Sequence, residues 1–172
     1  MYKLFGIGLP RTGTSSLAKA LRVLGYNGEN YCLLNDNRTT DKRKFFEVNN
    51  SFYKNYKQLF FDNKDSKFIL TTRDSSSWSN SIAKFIKHSS KERTYMLPNV
   101  TKYTQEVMKF FNDQGAMNQL LIIDLFDESC DCSCKWKNLY EFMREPYSPP
   151  PRVVYNYNDL DKFPHVVSWW AS

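Results

Sequence analysis

Gly8-Leu9-Pro10-Arg11-Thr12-Gly13-Thr14-Ser15 brings two glycines, a cation and three hydroxyls together in eight consecutive residues. This resembles the spacing that cradles phosphate. In G-x-x-x-x-G-K-[ST], backbone N–H groups surround the anion, the lysine reaches the outer phosphates and the hydroxyl binds Mg²⁺. Gly8, Gly13 and Ser15 stand in register, but Thr14 occupies the lysine position and the cation, Arg11, has moved inside the loop. Such a loop still suits an anion and lacks the group needed to drive ATP hydrolysis. A second cation, Arg73, follows the apolar run Phe68-Ile69-Leu70-Thr71-Thr72, with Ser81 eight residues further on. A guanidinium and a hydroxyl so placed can hold a second phosphate through charge-assisted hydrogen bonds. Two separate phosphate sites point to a ligand phosphorylated in two places.

The elements around these residues are those an α/β sheet needs. Tyr2 to Ile7 is an apolar run ending by a glycine, the expected first strand. Leu17, Ala20, Leu21 and Leu24 then recur at helical spacing, with Gly25 placed to close the helix. Strand, glycine loop and helix in this order aim the positive end of the helix at whatever anion the loop holds. Residues 27–41 read as a loop broken by a brief strand at Tyr31 to Leu34. A helix is expected from about Ser51, where Phe52, Tyr56, Leu59 and Phe60 recur. Phe68 to Thr72 is a strand, and Ser75 to Ser77 offer an N-cap to a helix with Trp78, Ile82, Phe85 and Ile86 inward. A further helix runs from Thr101 to Asn112 with Gly115 as its stop. Leu120 to Asp124 is apolar enough to be a strand buried on both faces, and Trp136, Leu139, Tyr140 and Met143 predict a last helix. The expected fold is a three-layer α/β domain, a mainly parallel sheet flanked by helices. It spans residues 1–172 as one unit, with an aromatic tail from about 153 that packs back on the domain.

With 172 residues the chain is long enough for one core. Its 24 basic against 18 acidic residues, net +6, favour anionic ligands. The lysines are scattered, without the aromatic runs of a nucleic-acid binder, so no nucleic-acid partner is expected. No apolar stretch approaches the length that spans a bilayer and no signal-peptide pattern opens the chain, so a cytoplasmic location is expected. Cys32, Cys130, Cys132 and Cys134 are then expected as thiols. C-x-C-x-C without a second pair at zinc spacing reads as a loop rather than a metal site.

The two motifs together, Pro10-Arg11-Thr12-Gly13-Thr14-Ser15-Ser16-Leu17 and Leu70-Thr71-Thr72-Arg73-Asp74 with Trp78 and Ser81, resemble the nucleotide-binding motifs of sulfotransferases dependent on 3′-phosphoadenosine-5′-phosphosulfate. More narrowly, the chain resembles the branch whose loop reads P-R-T-G-T-x-S-L, and the likeness continues weakly through Leu120 to Asp124, Trp136 to Phe142 and Pro151-Arg152. The resemblance implies that Arg11, Thr12, Gly13, Thr14 and Ser15 bind the 5′-phosphosulfate. It implies that Arg73 and Ser81 hold the 3′-phosphate, leaving adenosine 3′,5′-bisphosphate as product. Many relatives carry lysine where Arg11 stands, and several carry a ring that stacks on adenine where Ser16 stands. The adenine is then expected to find contacts elsewhere, near Arg152. In-line sulfuryl transfer to a hydroxyl or amine is implied, with no metal required. Arg11 would neutralise the departing charge and Glu47 would serve as the base, ahead of His88 and His165. The acceptor is not singled out by any residue.

Two other readings stay open. Ser15 and Asp124 around Mg²⁺ would make a kinase or NTPase, against which Thr14 at the lysine position argues. A non-catalytic nucleotide-binding protein would keep the fold without turnover.

Overall fold

The computed structural model describes residues 3–31, 46–49, 51–88, 97–144 and Pro164. In chain order the elements are β1 (Leu4–Gly6), α1 (Thr14–Val23), β2 (Gly28–Tyr31), β3 (Phe46–Asn49), α2 (Phe52–Asp62) and β4 (Lys67–Thr72). They continue with α3 (Ser75–His88), α4 (Val100–Asp113), a short 3₁₀ turn at Met117–Gln119, β5 (Leu120–Asp124) and α5 (Cys132–Arg144). The five strands form one sheet in the order β2-β3-β1-β4-β5, and every pairing is parallel.

Side chains alternate across this sheet as the period of two requires. Leu4, Phe46, Val48, Ile69 and Ile123 face α1 and α5, where Leu17, Leu21, Trp136, Leu139 and Met143 are buried. Phe5, Ile7, Phe68, Leu70 and Leu120 face the opposite way, against Phe52, Tyr56, Phe60, Trp78, Tyr103, Val107 and Phe111 from α2, α3 and α4. The result is the expected three-layer α/β arrangement. Helix α1 ends as its sequence suggests: Gly25 takes a left-handed φ of 87°, and the N–H groups of Gly25 and Tyr26 bind the carbonyls of Arg22 and Leu21. That pair of bonds is the Schellman closure, which needs a residue tolerant of positive φ.

Five expectations change. The brief strand lies at Gly28–Tyr31, three residues early, and residues 32–34 lie outside the described ones. Phe46–Asn49 forms a strand that helical spacing did not predict. It is buried on both faces, and its polar pair Glu47 and Asn49 disguises a period-two pattern. On α3, Asp74 rather than a serine is the N-cap, its carbonyl accepting from Trp78 N–H and its Oδ1 from Ser77 N–H; Ile86, expected inside, is 41% exposed. Finally, Cys130 and Cys134 are joined by a disulfide where thiols were expected, with Cys132 outside the bridge. α5 starts within this cysteine segment, its first turn bound by Asp131 Oδ1 to Cys134 N–H. Cys32, His165, Arg152 and almost all of the aromatic tail lie outside the described residues. Among the described residues no helix is long and apolar enough to cross a membrane.

Glu47 is 2% exposed and forms an ion pair with Lys3, itself 4% exposed, across β1 and β3. Removing Lys3 leaves the Glu47 charge stranded in the core, so Lys3→Met should destabilise the fold by about 3–5 kcal/mol. Lys3→Met together with Glu47→Leu should recover most of that loss. Urea titration of the three proteins checks this; a double variant as unstable as the single one would contradict it.

Candidate functional site

Because the strands are parallel, β1, β4 and β5 deliver their following loops to one edge of the sheet. β1 connects on to β2 on one side and β4 to β5 on the other. The chain therefore changes direction between β1 and β4, and the crevice outside their carboxyl ends is where open α/β sheets bind ligands. The loop of residues 7–13 leaves β1 there, and Arg73 leaves β4 beside it.

The loop's course follows from its small residues. A Cβ on Gly8 would drive into the hydroxyl and carbonyl of Thr71 on β4, so only glycine lets these strand ends close up. Thr12 Oγ1 lies 2.7 Å from Thr71 Oγ1 and donates to the Leu9 carbonyl at 2.6 Å. Arg11 and Gly13 take positive φ values of 71° and 98° on either side of Thr12. Alternation of this kind turns successive N–H groups to one side, the concavity that receives anions. Arginine gains nothing from a left-handed backbone and loses roughly 1–2 kcal/mol by adopting it. Strain of this sort is held where a function needs it. Gly13 is also the N-cap of α1 and contributes no side-chain cap, so the first turn of the helix opens on the loop.

Arg73, between β4 and α3, and Ser81 of α3 meet this loop, and Ser77 of α3 meets Arg73. Arg11 Nε donates to Ser81 Oγ at 3.1 Å, Arg73 Nε to Ser77 Oγ at 2.9 Å, and Arg73 Nη1 to the Arg11 carbonyl at 3.3 Å. The two motifs are therefore one cluster. Ser81, expected beside Arg73, lies against Arg11 instead, and Ser77 takes its place. Phe126, after β5, lies 3.9 Å from the Arg73 guanidinium carbon, a stacking distance that fixes the guanidinium plane. The Arg11 guanidinium carbon is 5.9 Å from the Phe85 ring centroid.

The electrostatics favour an anion. Burial lowers the Arg11 guanidinium below its ordinary value and the like charge of Arg73 lowers it further. Burial also lowers Arg73, while Asp124 and Asp74 act to raise it. Both remain cations at any ordinary pH, so the crevice holds two positive charges that a bound anion would separate and stabilise. Asp124 Oδ1 accepts from Phe126 N–H at 2.8 Å, a turn-forming role rather than that of a metal-binding acid. Among the described residues no group of three His, Cys, Asp or Glu could hold a metal ion.

Thr14 and Ser16 are buried, at 5% exposure each, and Ser15 is half-buried between them in the first turn of α1. Ser16 therefore faces inward. Glu47 does not fit the base expected of it. Its side chain is enclosed and committed to Lys3, and its register partner on β1 is Phe5, in the body of the strand rather than at its carboxyl end. Only the backbone of His88 is described. Ser77, Phe126 and the Trp78 N–H were not singled out by spacing. The serine run after Arg73 was the available signal for Ser77; nothing in the sequence pointed to Phe126.

Asp74 sets α3, which carries Ser77, Trp78 and Ser81. The Ser76 hydroxyl and the Ser77 N–H hold its carboxyl below the ordinary 3.8. A carboxylate whose folded value is depressed adds stability above its unfolded value and loses it as pH falls through the folded one. Asp74→Ala should therefore lower the melting temperature at pH 7, and the difference from wild type should shrink below about pH 4. Thermal melts at pH 7, 4 and 3 measure this. A difference independent of pH would contradict the assignment of the cap.

A family model described as a sulfotransferase domain matches residues 3–63 and 47–148, which take in the loop, both arginines and every strand. No curated protein matches the chain.

Proposed function

We propose that this chain, which belongs to the sulfotransferase domain family and so transfers a sulfo group, takes that group from 3′-phosphoadenosine-5′-phosphosulfate. The acceptor is a hydroxyl or amine. Arg11 and Arg73 carry the assignment: two cations, joined through the Arg11 carbonyl, meet at the one sheet edge where a doubly phosphorylated nucleotide would lie.

In this reading the loop from Arg11 to Ser15 binds the 5′-phosphosulfate through its backbone and the Arg11 side chain, and Arg73 binds the 3′-phosphate. Sulfuryl transfer forms a bond from sulfur to the acceptor oxygen or nitrogen, whose proton passes to solvent, and breaks the bond to the bridging oxygen, where negative charge accumulates. Arg11 is placed to stabilise that charge before it forms, the kind of preorganised interaction that accounts for most of such catalysis. Arginine does so as a permanent cation and cannot donate its proton. Ser81 keeps the Arg11 side chain extended across the loop. Ser77 and Phe126 hold the Arg73 guanidinium from its edge and its face. Glu47 is not assigned to the acceptor's proton. Its removal from the scheme leaves catalysis resting on position and charge.

Calorimetry with adenosine 3′,5′-bisphosphate and with ATP plus Mg²⁺ tests the donor. The bisphosphate should bind and ATP should bind more weakly. Arg73→Ala should weaken the bisphosphate by about 10- to 100-fold, the loss expected for charge-assisted hydrogen bonds. Preference for ATP would overturn the proposal in favour of a kinase or NTPase. Arg11→Gly removes the left-handed strain as well as the charge. It should melt no lower than wild type while sulfuryl transfer falls by about 100-fold or more; a large loss of stability instead would place Arg11 in the fold.

A further inference from the structure

The loop carbonyls are as informative as its N–H groups. Tyr103 Oη on α4 donates to the Ile7 carbonyl at 2.7 Å. Thr12 Oγ1 donates to that of Leu9, Trp78 Nε1 on α3 to that of Pro10 at 2.9 Å, and Arg73 Nη1 to that of Arg11. The Gly13 carbonyl is taken by Leu17 N–H inside α1. The carbonyls of Ile7, Pro10 and Gly13 are thus tied to groups of α4, α3 and α1 behind the loop, and those of Leu9 and Arg11 to Thr12 and Arg73.

We infer that Trp78 and Tyr103 are positioning residues that make the loop selective for anions by holding its carbonyl oxygens away from the crevice. This rests on the nucleotide site proposed above. A peptide plane has its N–H and C=O on opposite sides, so the ties from Tyr103 and Trp78 commit the N–H groups of Gly8 and Arg11 inward, whereas Pro10 has no N–H and that of Thr12 binds the Leu9 carbonyl. A plane free to turn would bring the negative end of its dipole against the phosphate and withdraw a donor at once. Glycine-rich loops turn easily because glycine populates positive and negative φ alike. The loop therefore has the freedom to be wrong, and side chains from α3 and α4 remove it.

Both donors are built for that purpose. Trp78 is 6% exposed and Tyr103 3%; each lies in the core cluster on that face of the sheet, where its ring packs and its polar atom finds the loop. Burial, with Tyr56, Tyr53 and Glu106 nearby, keeps the Tyr103 phenol well above its ordinary value, so it stays a donor. Neither residue needs to touch the nucleotide.

Trp78→Phe and Tyr103→Phe keep a ring in the core and delete only the donor. Adenosine 3′,5′-bisphosphate engages the loop as well as Arg73, whereas adenosine 3′-phosphate lacks the group the loop would bind. Each variant should lose the preference for bisphosphate over 3′-monophosphate by about tenfold while its affinity for the monophosphate stays as in wild type. General loosening of the fold would weaken both ligands together, and that result, or an unchanged preference, overturns the inference. Amide hydrogen exchange on the unliganded proteins gives a ligand-independent check. The amides of Gly8, Leu9 and residues 11–14 should exchange faster in each variant, with those of β4 unchanged; wild-type exchange in the loop would overturn the inference even if the nucleotide binds. A wild-type protein that binds neither nucleotide would end the donor assignment instead, and the exchange measurement would still decide the carbonyl lock.

Discussion

Two like charges share the carboxyl edge of this sheet, and the rest of the structure is arranged around their proximity. Arg73 reaches the carbonyl of the residue that bears the other guanidinium, and its charge lowers that guanidinium's proton affinity. Repulsion of this kind costs stability unless something else holds the groups. Here Ser77, Ser81 and the Phe126 ring supply the contacts, and α3, α4 and β5 bring those contacts into place. The strain at Arg11 belongs to the same arrangement, since a left-handed backbone at that point directs its side chain toward Ser81.

Parallel strands explain why one edge can serve both motifs. Residues about sixty apart in the chain lie side by side because β1 and β4 pair directly, Leu4 to Lys67 and Gly6 to Ile69. The close approach of the two strand ends depends in turn on Gly8, where a side chain would displace Thr71. The carbonyl ties from Tyr103 and Trp78 then transmit the packing of α4 and α3 to the loop. Core and site are therefore coupled: the aromatic cluster on that face sets the plane of peptides that face the ligand.

Much of this could be read from the chain, because it depends on local spacing. The strand, glycine loop and helix from Leu4 to Gly25, the Phe68 to Thr72 strand with Arg73 after it, and the existence of the Leu120 to Asp124 strand all follow from apolar periodicity and glycine placement, although that last strand lies at the sheet edge with only Leu120 and Ile123 buried. The misses depend on geometry that spacing along the chain does not fix. Phe46–Asn49 reads as a strand only once Lys3 is known to face Glu47, since a buried glutamate looks solvent-exposed by type alone. The same ion pair removes Glu47 from the role of base. The exchange of serines, Ser77 to Arg73 and Ser81 to Arg11, follows from the direction in which α3 leaves β4, and spacing along a helix does not fix that direction. The disulfide between Cys130 and Cys134 likewise follows from the start of α5 at Cys132, which brings the two together.

Phosphorus NMR of adenosine 3′,5′-bisphosphate tests the two-cation site most directly, because it reports each phosphate separately. Both resonances should shift on binding wild type, and with Arg73→Ala at saturating protein only the 5′ resonance should shift. Loss of both shifts together, or a 3′ shift that survives the substitution, would contradict a site in which Arg73 holds the 3′-phosphate and the glycine loop the 5′ group.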